Sequence, residues 1–262
     1  MPVFCEKDGH VATLTLSRPG TRNAWGDDFS DSLKEHLASL EDDDDIWCVI
    51  LTGDDAGDAF SAGADVKKKD LHVVKSTGDF IRSLPKRKHH PLTTLASFPK
   101  PLVAAVNGYA IGIGCILTYC CDLIVASERA EWRLPQSRMG IVPAHAGAVR
   151  LAQWVGKGMA MRMALGFPMK ADEALRAGLA QWVVPHAELI TKAREVAKYI
   201  SDQPPLTTRL VKESLAMGLE LPNADMAAHF DMYRFFTLDA TEDKQEGHSA
   251  VREQRKPSFK GR

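Results

Sequence analysis

Asn107-Gly108-Tyr109-Ala110-Ile111-Gly112-Ile113-Gly114-Cys115 is the stretch on which the reading of this chain turns. It has a shorter counterpart upstream, Ala59-Phe60-Ser61-Ala62-Gly63-Ala64-Asp65. An apolar run of β character precedes each: Leu102-Val103-Ala104-Ala105-Val106 and Cys48-Val49-Ile50-Leu51-Thr52. Small residues dominate both stretches, so backbone N–H groups can come close to a ligand. Past Gly112 the pattern turns helical, and a helix N-terminus holds free donors and a partial positive charge. Two such donors converging on one point stabilise negative charge on a carbonyl oxygen. Removing one donor from a device of that kind typically costs about 2.7–4 kcal/mol of transition-state stabilisation.

Outward from these loops, the chain reads as mixed α/β. Residues 11–16 alternate as a strand does, and further strands are expected at 47–52, 102–106 and 122–126. Phe29, Leu33, Leu37 and Leu40 recur at helical spacing and predict a helix over 27–40. The acidic run Glu41-Asp42-Asp43-Asp44-Asp45 reads as a solvated loop. Methionines and alanines in 158–180 have core-helix spacing. After a short strand at 181–184 the chain is helical, with helices expected at 206–217, 223–237 and 241–253. The division expected is a core over 1–200 and a helical region over 201–262 that mediates assembly.

Composition narrows the function. The 262 residues carry 33 Lys+Arg against 34 Asp+Glu, a formal net charge of -1. No global field draws the chain to nucleic acid or to an anionic membrane. The apolar run around 102–118 is broken by Asn107 and glycines, which disqualifies it as a membrane span. Five cysteines, two of them adjacent at Cys120 and Cys121, do not form a disulfide framework. No basic segment followed by an apolar one opens the chain. A cytoplasmic location is the expectation. Gly108, Gly112 and Gly114 do not match the order of a dinucleotide fingerprint, and neither a nucleophile elbow nor a metal-ligand spacing occurs. No metal and no separate cofactor are expected.

The two loops, taken with other segments, resemble the crotonase superfamily, which includes enoyl-CoA hydratases and isomerases. The resemblance runs through residues 11–19 with Arg22-Asn23-Ala24, Leu51-Thr52-Gly53, both glycine-rich loops and Lys100-Pro101. It continues in 121–126, 139–143, 242–247 and 255–261. It implies a spiral of ββα units with a helical C-terminal trimerisation region, in a homotrimer or a hexamer made of two trimers. It also implies an acyl-CoA thioester substrate, with coenzyme A as part of that substrate. By the same resemblance the amides of Ala64 and Ile113 form the oxyanion hole. Ala62, Gly63, Asp65, Gly112 and Ile116 are expected to contact the substrate, and Arg22, Asn23 and Ala24 to bracket the CoA tail.

The acid–base groups depart from the family. Hydratases of the family deliver water with two glutamates, and the corresponding positions here are Ile116 and Gln136. Isoleucine moves no proton, and glutamine orients by hydrogen bonding without titrating. Classical hydration is therefore not expected. A lyase, isomerase or hydrolase acting through an enolate is, with a catalytically silent acyl-CoA binder or assembly subunit as the alternative. His145 lies where some relatives carry an acidic group and is the expected proton carrier, with Gln136 positioning substrate or water. His89 and Asp65 follow it as candidates. His89 and His90 read as surface residues of a charged run, and Asp65 reads equally as a cap for a helix after Ala64. Ile113 stands where the family has glycine and either narrows the acyl pocket or packs into the core. Trp132 is expected at the pocket rim.

Overall fold

The computed structural model describes residues 2–65, 76–83, 90–221 and 223–262. Two sheets organise it. The larger contains β1 (Val3–Asp8), β2 (Val11–Leu16), β3 (Cys48–Gly53), β5 (Leu102–Val106), β7 (Leu123–Ser127) and β10 (Trp182–Val184), side by side in that order. The β1–β2 hairpin is antiparallel, and every other pairing in this sheet is parallel. The smaller sheet contains β4 (Ala59–Ser61), β6 (Tyr109–Ile111), β8 (Glu131–Arg133) and β9 (Met169–Lys170). Its β4–β6 and β6–β8 pairs are parallel. A long strand of the first sheet, a short strand of the second and then helix recur along the chain. Because β3, β5, β7 and β4, β6, β8 keep the same spatial order, successive ββα units wind into a spiral.

Burial on both faces explains why the central strands read as unbroken apolar runs. Along β3, Val49 and Leu51 join one core cluster while Cys48 and Ile50 join the other. The first face packs against α1 (Asp27–Glu41), which buries Phe29, Leu33, Leu37 and Leu40 at the expected spacing. The second face packs against α7 (Leu189–Ser201) through Leu189, Ala193, Val196 and Ala197. Burying a side chain such as Leu37 stabilises by roughly 1.5–3 kcal/mol, and truncation to Ala costs more, about 2–5 kcal/mol, because of the cavity left.

The remaining helices among the described residues are α2 (Thr77–Ser83), α3 (Pro91–Ala96), α4 (Ile113–Thr118), α5 (Gly147–Ala164), α6 (Ala171–Arg176), α8 (Pro205–Gly218), α9 (Ala224–Leu238) and α10 (Glu242–Arg252). The segment 158–180 comprises the end of α5, β9 and α6, and buries Ala160, Met163, Met169, Ala171 and Ala174. Gly156 interrupts α5, with φ 74° and ψ 163°. Little of the chain beyond residue 200 is buried. None of α9 is, and Met226, Phe230, Met232, Tyr233, Phe235 and Phe236 all lie exposed on it.

Candidate active site

The first loop is held from behind by Asn23. This residue is fully buried and left-handed, with φ 54°. Its Nδ2 donates to the carbonyls of Asp54 and Ala59 at 3.0 and 2.7 Å, and its Oδ1 accepts from the Arg18 amide at 2.9 Å. The side chain is thus a strut between chain segments. Its backbone is engaged too, the amide donating to the Arg18 carbonyl at 3.0 Å and the carbonyl accepting from Ser61 Oγ at 2.8 Å, so Asn23 supports the loop from behind instead of contacting a CoA tail as the resemblance implies. Ala24 is also buried, whereas Arg22 is exposed, with its guanidinium 5.9 Å from the ring centre of Tyr109. The Ala62 amide donates to the carbonyl of Arg22 at 2.9 Å, which joins this segment to the loop.

Trp25 and Ala64 form an isolated parallel bridge. Trp25 donates to the carbonyl of Gly63 at 2.7 Å and accepts from the amide of Asp65 at 3.0 Å. In a parallel bridge, bonds to the residues on either side turn the middle residue's own N–H the other way. The Ala64 amide therefore points away from Trp25, on an exposed residue. Asp65 is half-buried. The helix expected after Ala64, and with it the capping role of Asp65, lies outside the described residues, as does His89.

Pairing of β4 with β6 brings the second loop alongside. Gly63 has φ +85°, and a Cβ there would lie 2.6 Å from the carbonyl oxygen of Ile111. Gly114 faces the same constraint from the other side, because a Cβ on it would sit 2.5 Å from the carbonyl oxygen of Ser61. Glycine is needed at both places for two backbones to approach this closely. Gly112 is left-handed at φ 57° and donates to the carbonyl of Arg133 at 2.8 Å. Ile113 then opens α4, so its amide is one of the donors without an intrahelical acceptor. The Ile113 side chain is half-buried and packs against the main core, the second of the two orientations its bulk allowed.

One turn further, Ile116 is buried, with its Cδ1 2.7 Å from where a Cβ on Gly147 would stand. Tyr119 donates its hydroxyl to the Gly147 carbonyl at 2.9 Å, which fastens the start of α5 to the end of α4. The loop from Pro143 to Gly147 is thereby fixed beside α4, and His145 lies on it. Gln136 approaches from a 3-10 turn (Pro135–Met139), and its Nε2 is 3.6 Å from the Cβ position of Gly112. The buried Oε1 of Gln136 has no hydrogen-bond partner. Leaving such an acceptor unmatched costs about 1–3 kcal/mol.

Trp132 is not at a pocket rim. It is fully buried, and its Nε1 donates to Thr118 Oγ1 at 3.0 Å. The strand Glu131-Trp132-Arg133 alternates, so the flanking charged residues point outward while the indole enters the core. His90, which the sequence places on the surface, is half-buried at the start of α3. Its Nδ1 accepts from the Leu92 amide at 3.3 Å. Its ring stacks on that of His145, with centroids 3.6 Å apart and planes 20° from parallel. Burial, followed by the charges of His145 and Lys34, pushes the His90 imidazole down to about 4. Pro91 at the first helical position was a signal for a cap at residue 90.

Among the described residues no group of three or more His, Cys, Asp or Glu side chains is placed to hold a metal ion, and no helix is long and apolar enough to cross a membrane. In the C-terminal segment, which carries basic residues, Arg255 is paired with both Glu246 and Glu253.

The spiral of ββα units, with two small-residue loops meeting beside the smaller sheet, defines a distinct class of mixed α/β folds. The chain belongs to the enoyl-CoA hydratase/isomerase family, whose sequence model it matches over residues 6–262, and thus to the crotonase superfamily. It is 36% identical over 262 residues to the 2,3-dehydroadipyl-CoA hydratase of Escherichia coli K12, covering 99% of each chain. It is 35% identical over 264 residues to the short-chain-enoyl-CoA hydratase of Clostridium acetobutylicum, covering 99% of this chain and 98% of that one. Among solved structures, the enoyl-CoA hydratase of Bacillus anthracis superposes with a TM-score of 0.91 at 28% identity over 100% of both chains.

Proposed function

We propose that this protein is an acyl-CoA enzyme that holds an enolate of the thioester on the amides of Ala64 and Ile113 and moves a proton with His145. In this reading Gln136 positions substrate or water. The carrying observation is the chemistry around the two loops. Two backbone donors face away from the structure that holds them, while the two positions that carry glutamate in family hydratases hold a buried isoleucine and a glutamine whose Oε1 is unpaired. General acid–base chemistry needs a titratable group in reach. His145, two residues before Gly147 and stacked on His90, is the candidate.

The acyl group enters over Gly63 and Gly112, and the exposed guanidinium of Arg22 offers a cation to the phosphates of CoA. A one-carrier site of this kind suits isomerisation, decarboxylation or C–C cleavage. The similar proteins are named hydratases, which favours hydration as a second reading. A panel of acyl-CoA thioesters, with mass detection of products and calorimetric titration of each ligand, tests both. Turnover without hydration supports the first reading, and hydrated product alone supports the second. Binding without any product would make the chain a silent binder. No detectable binding at millimolar acyl-CoA would remove all three.

A further inference from the structure

We propose that His90 is a positioning residue: its ring is a fixed platform on which the His145 imidazole stacks, which holds that imidazole in one orientation. The inference rests on the proposed role of His145 as proton carrier, but the pairing itself can be tested without that role.

Three features of the structure support it. The two rings are 3.6 Å apart and 20° from parallel, a face-to-face contact between residues distant in sequence. His90 cannot turn freely, because its Nδ1 accepts the Leu92 amide proton as the cap of α3. His145 and Ala146 are both left-handed, with φ 54° and 58°. Non-glycine residues persist in that conformation only where their surroundings over-determine it. The stack on a capped ring supplies such a constraint to His145.

The cap also decides which ring takes the proton. With Nδ1 accepting from Leu92, the neutral His90 ring carries its hydrogen on Nε2. A second proton would go on Nδ1 and set two donors, Nδ1–H and the Leu92 N–H, against each other. Capping and protonation of His90 therefore exclude one another. The other charges set against His90 among the described residues act in the same direction. They are His145 itself, on the loop before α5, and Lys34 of α1. Helix α3, from Pro91 to Ala96, contributes no titratable side chain. The stacked pair thus accepts one proton, on His145, while His90 stays a neutral surface beneath it.

Substitutions separate platform from cap. His90→Asn keeps a side-chain acceptor suited to a helix N-cap but removes the ring. His90→Phe keeps a ring but loses the acceptor. Each is examined by thermal unfolding, by NMR of the His145 ring protons across pH, and by kcat and KM on whichever acyl-CoA turns over. We expect His90→Asn to unfold at the wild-type temperature yet lose the ring-current displacement of the His145 signals. Its kcat should fall about 10- to 100-fold, the scale of an ångström-level misplacement, with KM unchanged. We expect His90→Phe to be less stable but to keep the displaced signals and most of the kcat. In His145→Ala, the His90 midpoint should rise from about 4, because one of the charges that lowers it is gone. Wild-type His145 signals in His90→Asn would overturn the proposal, as would a loss of kcat in His90→Phe alone. If the NMR signature is present but His145→Ala leaves turnover intact, the platform stands and the proton-carrier reading of His145 falls.

Discussion

Ile116 lies so close to Gly147 that a methyl group on the glycine would meet its Cδ1 at 2.7 Å and its Cγ1 at 3.1 Å, with Pro143 Cβ at 3.2 Å. An apolar side chain therefore fills the space between α4 and the loop bearing His145. The contact is tight, but its nearest atom is the end of a flexible chain. Gly147→Ala should destabilise by about 1–2 kcal/mol, at the modest end of overpacking, partly offset by alanine's better helix propensity. Ile116→Val removes Cδ1 at a cost of about 0.5–1.5 kcal/mol. The double variant should be more stable than the sum of the two losses, because the clash is gone. Denaturant unfolding of all four proteins measures the coupling, and strict additivity would contradict this packing.

Crotonyl-CoA hydration should be slow or absent in the natural sequence. Ile116 is apolar and Gln136 does not titrate, so neither can shuttle the protons of water addition. A turnover number of about 1–1,000 per second, ordinary for enzymes, would refute this. Ile116→Glu combined with Gln136→Glu should raise the rate. A spectrophotometric assay of the enoyl thioester follows both proteins.

His145→Ala should lower turnover of any accepted substrate by roughly 100- to 10,000-fold, the usual worth of a general acid–base group, with CoA affinity nearly unchanged. The wild-type pH–rate profile should show a limb that the variant loses. Full activity in the variant would assign the proton transfer elsewhere.

Lys100 gives the stability of the fold a definite alkaline signature. It is fully buried, and its Nζ donates to the carbonyls of Leu40 at 2.5 Å and Asp43 at 2.6 Å, tying down the end of α1. Burial, and then the nearby Arg209 charge, push the amine down to about 8 from an ordinary 10.5. Below pH 8 both folded and unfolded chains hold the proton, and the fold bears the full cost of the buried charge. Between about 8 and 10.5 the unfolded chain holds a proton that the folded chain releases, so this cost shrinks as pH rises. The stability of the wild type relative to Lys100→Met should therefore climb across that window and level off above it. Thermal unfolding of both proteins from pH 7 to 11 tests the sign, and a flat difference would be inconsistent with a buried amine.

The exposed apolar face of α9 should be covered in solution by further copies of the chain. Met226, Phe230, Met232, Tyr233, Phe235 and Phe236 present more apolar surface than isolated domains usually leave in water. Light scattering at micromolar concentration should return a trimer or a multiple of one. Phe235→Glu with Phe236→Glu should shift the protein toward smaller species. A wild-type monomer would contradict the expectation.

Elements with strong local periodicity were legible in the sequence. Helix α1 and strands β2, β5 and β7 fall within a residue or so of the places their apolar spacing indicates. The second sheet was not legible as such, because strands of two or three residues carry too short a pattern to count. Trp132 shows the same limit. Its neighbours Glu131 and Arg133 signal an alternating strand, but which face meets the core depends on β6 and β9 on either side.

What the sequence determined by itself is local: which segments are strand or helix, where small residues let backbone donors approach a ligand, and which positions lack a titratable group. Ile116 and Gln136 could be read directly because the absence of a carboxylate needs no fold to establish. Tertiary structure decided the neighbours. Asn23 became a strut because β4 passes beside it, Ile113 came to rest half-buried against the core, and His90 left an apparent surface run to lie against His145. Such contacts join residues brought together by sheet order and helix packing. They depend on where whole elements are placed, which no short window of sequence contains.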